Sequence, residues 1–156
     1  MRNSKVKGFT LIELIVVIAI IGVLAAILVP SMLGYLRNAR ISAANANAKL
    51  VNTAVATALT QANAAGVQPT SITSPVTFAA GPAITVTWGS YSADMIDYLG
   101  KNFKGNAYTV VDSNAYAVEY SLWSEGTPGT SQLSASTQES QAKGGTIVGC
   151  YPLLAS

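Results

Sequence analysis

The chain has 156 residues, of which half are hydrophobic and a tenth are charged, so it is long enough for one domain and unusually poor in charge. It contains no histidine, which removes the most common general base and metal ligand, and its one cysteine excludes an intrachain disulfide. We therefore expect neither an enzyme nor a chain that holds a cofactor or a metal ion.

Residues 1–8 form a short basic head that ends at Gly8. The basic residues of this head are Arg2, Lys5 and Lys7. An ordinary secretory signal has its apolar region before the cleavage site, whereas here the apolar region follows the glycine. A cut between Gly8 and Phe9 would keep that region in the mature protein. The alternatives are an uncleaved anchor oriented by the basic head, or a conventional cut far beyond the apolar run, at 44–48.

The same cut decides the charge of the mature chain. It would remove three of the nine basic residues and none of the seven acidic ones, which leaves a net side-chain charge of −1. The positive charge of the whole sequence therefore comes from the head, and it gives no indication of nucleic-acid binding.

An apolar run follows the head, and one carboxylate, that of Glu13, stands at its start. Residues 14–29 are apolar apart from Gly22, and no charge occurs from 14 to 36, which is long enough to span a bilayer. An ionised side chain costs about 2.5–3.5 kcal/mol at the centre of a bilayer and less near its edge. Glu13 is therefore a functional candidate that needs a partner for its charge.

Two residues inside the run are poor helix formers. Gly22 lowers helix propensity, and Pro30 removes one backbone hydrogen bond and disfavours helical geometry at Val29. The stretch from Gly22 to Pro30 is predicted to bend or to unwind locally.

The helix is predicted to continue well beyond the apolar run. Apolar residues recur at spacings of three and four from Ile41 to Ala62, which is typical of an amphipathic helix, and Gly66 is a natural C-cap. We expect one helix over 9–65, about 85 Å long at 1.5 Å per residue, with an apolar half at 9–36 and an amphipathic half at 37–66. A helix of this length must be stabilised by packing contacts outside its own domain.

Residues 67–156 are predicted to form a small antiparallel β-sheet head. The expected strands are 76–78, 84–88, 108–111, 116–123 and 146–148, with a turn at 112–114. A short helix is expected over 92–100 with Ser92 as its N-cap, Asp94 and Asp97 being solvated carboxylates on one face. Residues 131–143 are expected to be an exposed strand or loop, and Cys150 a small buried residue near the last strand. The fold class is α+β, with the long helix covering the apolar face of the sheet.

The N-terminal pattern resembles that of the type IV pilin family, which includes the pseudopilins of type II secretion and competence systems. The matching residues are Lys7-Gly8, then Phe9-Thr10-Leu11-Ile12-Glu13 and the apolar run. The resemblance implies cleavage after Gly8 by a prepilin peptidase and N-methylation of Phe9. It also implies that Glu13 neutralises the amine of Phe9 on a neighbouring subunit during assembly.

The function implied is that of a structural subunit, a major pilin, held as a single-pass protein in the cytoplasmic membrane and polymerised into a surface filament. Its implied partners are other copies of the chain, the prepilin peptidase, an assembly ATPase and an inner-membrane platform protein. The alternatives are a pseudopilin of a secretion or competence system, or a membrane-anchored extracellular binding domain. Residues 67–156 carry no motif that chooses among adhesion, twitching motility and DNA uptake.

Two features depart from the family pattern. Many members from Gram-negative bacteria close a C-terminal loop with a cysteine pair, whereas this chain has only Cys150. Two alternatives follow: the chain comes from a Gram-positive organism, or hydrogen bonds and packing hold the loop instead. The major pseudopilin of type II secretion typically binds calcium near its C-terminus. Here the last 30 residues hold one acidic residue, Glu139, and a calcium site is not expected.

Overall fold

The computed structural model describes residues 8–81 and 83–155, so the basic residues of the head lie outside the described part. The chain divides between Leu36 and Arg37 into two units. One long helix, α1 (Leu11–Ala64), contributes to both. The predicted helix is confirmed, with its start two residues later than expected and its end one residue earlier.

In its described residues the second unit adds a head of six strands, two short α-helices and one 3-10 turn. In chain order these are a 3-10 turn (Pro69–Ser71), β1 (Val76–Ala79), β2 (Thr85–Trp88), β3 (Tyr91–Asp94), α2 (Ile96–Leu99), β4 (Asn106–Asp112), β5 (Ala117–Ser124), α3 (Ala135–Lys143) and β6 (Val148–Tyr151). Four strands form an antiparallel sheet in the order β1-β4-β5-β6, and β2 and β3 form a separate hairpin. The predicted α+β fold, a long helix with a small antiparallel sheet, is confirmed.

The amphipathic part of α1 packs on this head through a narrow stripe of small side chains. The buried residues of the stripe are Ala44, Ala48, Val51, Ala54, Val55, Ala58, Leu59 and Ala62. They share one core with strand and loop residues that include Trp88 and Met95. Because five of the eight are alanines, the helix backbone can approach the sheet closely, and most of the side-chain volume comes from the sheet side.

Burial argues against a conventional signal-peptidase cut at 44–48. Both Ala44 and Ala48 lie in the core and within α1, so this segment is an integral part of the folded head.

The structure corrects the helix predicted over 92–100. Tyr91–Asp94 is the strand β3, which pairs with β2 across a two-residue turn at Gly89, where φ is +58°. Asp94 ends that strand and accepts a hydrogen bond from the Ile96 N–H (3.0 Å), so it does not share a helical face with Asp97. A tight hairpin with glycine at its first turn position explains the difference, and Gly89-Ser90 was the sequence signal for it.

The segment 131–143, predicted as an exposed strand or loop, contains the helix α3. Ser134 is its N-cap and its hydroxyl accepts a hydrogen bond from the Thr137 N–H (3.3 Å). Gln138 and Ala142 face inward and are buried. The prediction was wrong because the buried face of α3 carries a polar residue, so its sequence shows almost no apolar period.

Hydrogen bonds fasten α3 and β6 to α1 without a disulfide. The Asn45 Oδ1 accepts from the Cys150 N–H (3.0 Å) and from Gln138 Nε2 (2.6 Å), while Asn45 Nδ2 donates to Gln138 Oε1 (3.2 Å). Gln138 Nε2 also donates to the Val148 carbonyl (2.8 Å). One side chain of α1 thus holds two C-terminal elements, and we call this set the amide latch.

Backbone packing and the thiol reinforce the amide latch. Gly149 in β6 lies so close to α1 that a Cβ atom would overlap the Ala44 carbonyl and come within 2.9 Å of the Asn45 nitrogen. The buried Cys150 Sγ accepts from the Leu133 N–H (3.3 Å) and donates to the Pro152 carbonyl (3.3 Å). Burial raises the pKa of this thiol, although the hydrogen bond from Leu133 opposes the shift. Of the two alternatives, the structure shows the second: hydrogen bonds and close packing hold this end of the chain.

Candidate processing and assembly site

Gly8 and Phe9 precede the first residue of α1 and are exposed. The Phe9 side chain is 83% exposed, and a Cβ atom built on Gly8 would have no neighbour within 4 Å. The folded chain therefore gives no packing reason for a glycine at position 8. A requirement for glycine there would have to come from a molecule that reads the segment.

Thr10 and Glu13 form a capping box at the start of α1. The Glu13 Oε2 accepts from the Thr10 N–H (2.8 Å) and from the Thr10 hydroxyl (2.7 Å). In return the Thr10 Oγ1 accepts from the Glu13 N–H (3.3 Å). Two backbone N–H groups that the helix leaves without a partner are satisfied in this way.

The capping box gives Glu13 a role within its own chain, in addition to the role between subunits that the family resemblance implies. A threonine three residues before a glutamate, just ahead of an apolar run, is the sequence signal, and it could have been recognised. Both hydrogen bonds from Thr10 reach Oε2, and among the described residues none reaches Oε1. The carboxylate can thus cap its own helix with one oxygen and accept from another molecule with the other.

The apolar part of α1 presents large side chains outward on all its faces. Its most apolar 18-residue window has a mean hydropathy of 3.2, and none of that window is buried, so the helix qualifies by length and composition as a membrane span. Exposed residues include Leu11, Ile15, Ile18, Val23, Leu28 and Leu33. An apolar surface that surrounds a helix requires lipid or other helices around it.

A shallow groove of about 300 Å³ lies on this helix between Ala19, Ile20, Val23 and Leu24. Small and branched side chains at successive turns leave a recess of this kind, into which a side chain of another helix can pack.

The predicted local unwinding between Gly22 and Pro30 is not found, because both residues lie within the unbroken helix α1. A proline removes a single backbone hydrogen bond, and the aliphatic residues around it keep the remaining ones. The Ser31 hydroxyl donates to the Leu28 carbonyl (2.8 Å) and so satisfies one acceptor next to the proline.

No group of three or more histidine, cysteine, aspartate or glutamate side chains comes together within the described residues. The two neighbouring carboxylates of the head, Asp94 and Asp97, belong to β3 and α2 respectively. The chemistry of the site is therefore that of the N-terminal segment: one exposed glycine, one exposed aromatic residue and one capped carboxylate.

Comparison with known proteins also indicates the N-terminal segment as the functional site. Residues 3–29 match the model of the prokaryotic N-terminal methylation motif. The chain is 41% identical over 64 residues to the type IV major fimbrial protein FimA of Dichelobacter nodosus, a match that covers 41% of each chain. It is 46% identical over 52 residues to the type IV major pilin protein PilA of Myxococcus xanthus, which covers 33% of this chain and 24% of that protein.

A third relative, the type IV major pilin protein PilE1 of Neisseria gonorrhoeae, is 52% identical over 42 residues, covering 27% of this chain and 26% of that protein. The matches thus span well under half of the length of these relatives. No solved structure matches the chain significantly.

The matched motif and the named relatives show that part of the chain is similar to type IV pilins, and the α+β fold agrees with that resemblance. All three of these relatives are named as major pilins or major fimbrial proteins.

Proposed function

We propose that the chain is a structural subunit, a major pilin, of a type IV pilus, and that it has no enzymatic activity of its own. The observation that carries this proposal is the fully exposed apolar half of α1, which begins with a capped carboxylate. A surface of this kind is stable in a bilayer before assembly and in a bundle of helices after it. The names of the relatives support the same function.

Processing would come first. A prepilin peptidase would cut between Gly8 and Phe9, remove the basic head with Arg2, Lys5 and Lys7, and leave Phe9 as the N-terminal residue, which would then be methylated. The exposure of Gly8 and Phe9 ahead of α1 favours access of such an enzyme to this bond.

Mass spectrometry of the filament fraction sheared from cells tests the proposal directly. We expect the mature chain to begin at Phe9 with one methyl group on its amine. The chain could instead begin at Met1, remain in the membrane and never enter the sheared fraction. That result would favour a membrane-anchored binding domain and would contradict the pilin proposal. Short filaments that depend on secretion or competence genes would favour a pseudopilin.

A pair of glycine variants tests the cleavage assignment. Gly8→Leu should block the cut and leave the full chain in the membrane, whereas Gly34→Leu, a matched control, should be cut normally. A Cβ atom at either glycine would have no neighbour within 4 Å, so the two positions are matched in local space. Mature filaments from the Gly8 variant would refute the assignment.

Assembly would use both oxygens of Glu13. Oε2 stays bonded to Thr10, and Oε1 accepts a hydrogen bond from the Phe9 ammonium of a neighbouring copy. An ammonium and a carboxylate that are each costly in an apolar bundle become tolerable as a pair. Thr10 would thus be a positioning residue, since it fixes the orientation of the carboxylate that meets the neighbour.

Substitutions at the two positions separate these roles. Glu13→Ala should be processed but yield few filaments. Thr10→Val, which removes the hydroxyl, should lower the filament yield, while Thr10→Ser, which keeps it, should restore the yield. Cleavage, scored on the same immunoblot, serves as the control for membrane insertion. Equal yields from the valine and serine variants would remove Thr10 from the proposal.

The energy for growth would come from an assembly ATPase acting through an inner-membrane platform protein, since the chain has no phosphate-binding loop of its own. Deleting either partner should leave cleaved subunits in the cytoplasmic membrane and no filaments on the cell surface.

A further inference from the structure

A pocket of about 800 Å³ lies in the second unit between α1 and the end of the sheet. On the helix side it is lined by Arg40 and Asn47. On the other side it is lined by Glu125 and Thr127, which follow β5, and by Thr146 in the loop before β6. The pocket therefore combines one cation, one anion and several uncharged hydrogen-bonding groups.

The two charges of the pocket do not neutralise each other. Within residues 8–81 and 83–155 the only ion pair joins Lys143 Nζ to Glu139 Oε1 (3.4 Å), so the Arg40 and Glu125 side chains are more than 4.0 Å apart. Two opposite charges that line one pocket without meeting complement a ligand that carries both signs at a short separation.

The place of Arg40 in the sequence indicates where such a ligand comes from. The uncharged run ends at Leu36, and Arg40 follows it by four residues, about one helical turn. If the subunit is held in the membrane by that run, as proposed above, Arg40 lies at the level of the lipid headgroups.

We propose that this pocket binds the headgroup of phosphatidylethanolamine while the subunit is stored in the membrane. The phosphate accepts hydrogen bonds from the Arg40 guanidinium, and the ammonium donates to the Glu125 carboxylate. The Asn47 amide and the two threonine hydroxyls supply further donors for the phosphate oxygens. This inference rests on membrane storage, a step of the proposed function.

Two other common headgroups fit the pocket less well. Phosphatidylglycerol carries only a negative charge, so it has no ammonium to pair with Glu125, and its phosphate is repelled by that carboxylate. Phosphatidylcholine carries both charges, but its quaternary ammonium has no N–H to donate to the carboxylate. The pocket should therefore prefer the ethanolamine lipid over both.

Native mass spectrometry of the full mature chain, reconstituted in nanodiscs that contain the three lipids in equal amounts, tests this preference. We expect the ethanolamine lipid to be retained about fivefold more than the choline lipid, the upper end for an exposed charge pair. Arg40→Gln should abolish the preference. Glu125→Gln should lower retention of the ethanolamine lipid and raise that of the glycerol lipid, because the repelling carboxylate is gone.

Matched variants remove the same charges outside the pocket. Arg37→Gln changes a half-buried residue and Glu119→Gln an exposed one, neither of which lines the pocket, and the lipid preference of both variants should equal that of the unaltered chain. Equal retention of the three lipids, or equal effects of the pocket and control variants, would overturn the proposal.

Two separate readouts distinguish the remaining outcomes. Recovery of the processed chain in the membrane fraction is scored before reconstitution, so a failure of membrane storage is distinguishable from a failure of the lipid site. If the pocket variants lose filaments but retain lipid normally, the pocket is a contact between subunits and the lipid proposal is wrong.

Discussion

Replacing Asn45 with alanine should destabilise the second unit strongly, because Asn45 is the centre of the amide latch. The substitution leaves the Cys150 N–H and the Gln138 Oε1 without the partners that Asn45 provides. Both residues are almost fully buried, at 1% and 2% exposure, so water is poorly placed to replace Asn45. Gln138 Nε2 keeps its bond to the Val148 carbonyl and adds little to the cost.

The expected loss follows from these two orphaned groups. Each buried donor or acceptor left unsatisfied costs about 1–3 kcal/mol, which gives about 2–6 kcal/mol for the pair. Alanine returns less than about 0.7 kcal/mol through its higher helix propensity. The net loss is a large fraction of the typical total of about 5–15 kcal/mol for a domain of this size.

Urea unfolding of the full chain in a mild detergent, followed by tryptophan fluorescence, measures this loss. Both tryptophans, Trp88 and Trp123, lie in the second unit. The fluorescence therefore reports the unfolding of the second unit and does not report on the apolar half of α1. The transition should move to lower urea with an unchanged slope.

The matched control is Asn63→Ala, which removes the same side chain from an exposed position of α1. Its effect should stay within about 0.5 kcal/mol. If the Asn45 and Asn63 variants unfold at the same urea concentration, the amide latch does not hold the C-terminal elements and the reasoning fails.

Three further predictions concern the same end of the chain and the sheet. Gly149→Ala should cost at least about 3 kcal/mol by the same unfolding assay, while Gly126→Ala, with space for its Cβ atom, should be mild. The Cys150 thiol should resist alkylation until urea unfolds the chain. Its raised pKa means that the unfolded chain loses this proton first, so stability should fall as pH rises above the ordinary value of 9.0. The buried hydroxyls of Thr109 and Ser121, 3.0 Å apart, should show a favourable coupling of about 1 kcal/mol in a double-mutant cycle with valine and alanine.

The sequence alone determined the long helix and the N-terminal site, because both depend on local patterns. An uninterrupted apolar run and the regular spacing from Ile41 to Ala62 predict a helix whatever surrounds it. The segment from Lys7 to Glu13 indicates the family by its order of residues, and the model of the N-terminal methylation motif matches residues 3–29, which include it. The capping box of Thr10 and Glu13 was also readable, since its two residues are three apart.

Only the tertiary structure shows which residues far apart in the sequence pair or form hydrogen bonds with each other. The strand β1 pairs with β4, about 30 residues further along, although two closer strands intervene. Asn45 and Cys150 are 105 residues apart, yet one hydrogen bond joins them. Their residue types are compatible with exposed helix and buried strand positions alike, so composition and spacing gave no sign of this contact.

The helix α3 shows the physical reason for this limit. A polar residue such as Gln138 predicts exposure unless a specific partner satisfies its amide, and that partner, Asn45, comes from another element. Gly149 likewise has no distinguishing neighbours in the sequence, and only the close approach of α1 requires it to be a glycine. Local patterns thus specify the long N-terminal helix, whereas long-range hydrogen bonds and packing specify how the strands and α3 pack against its amphipathic half.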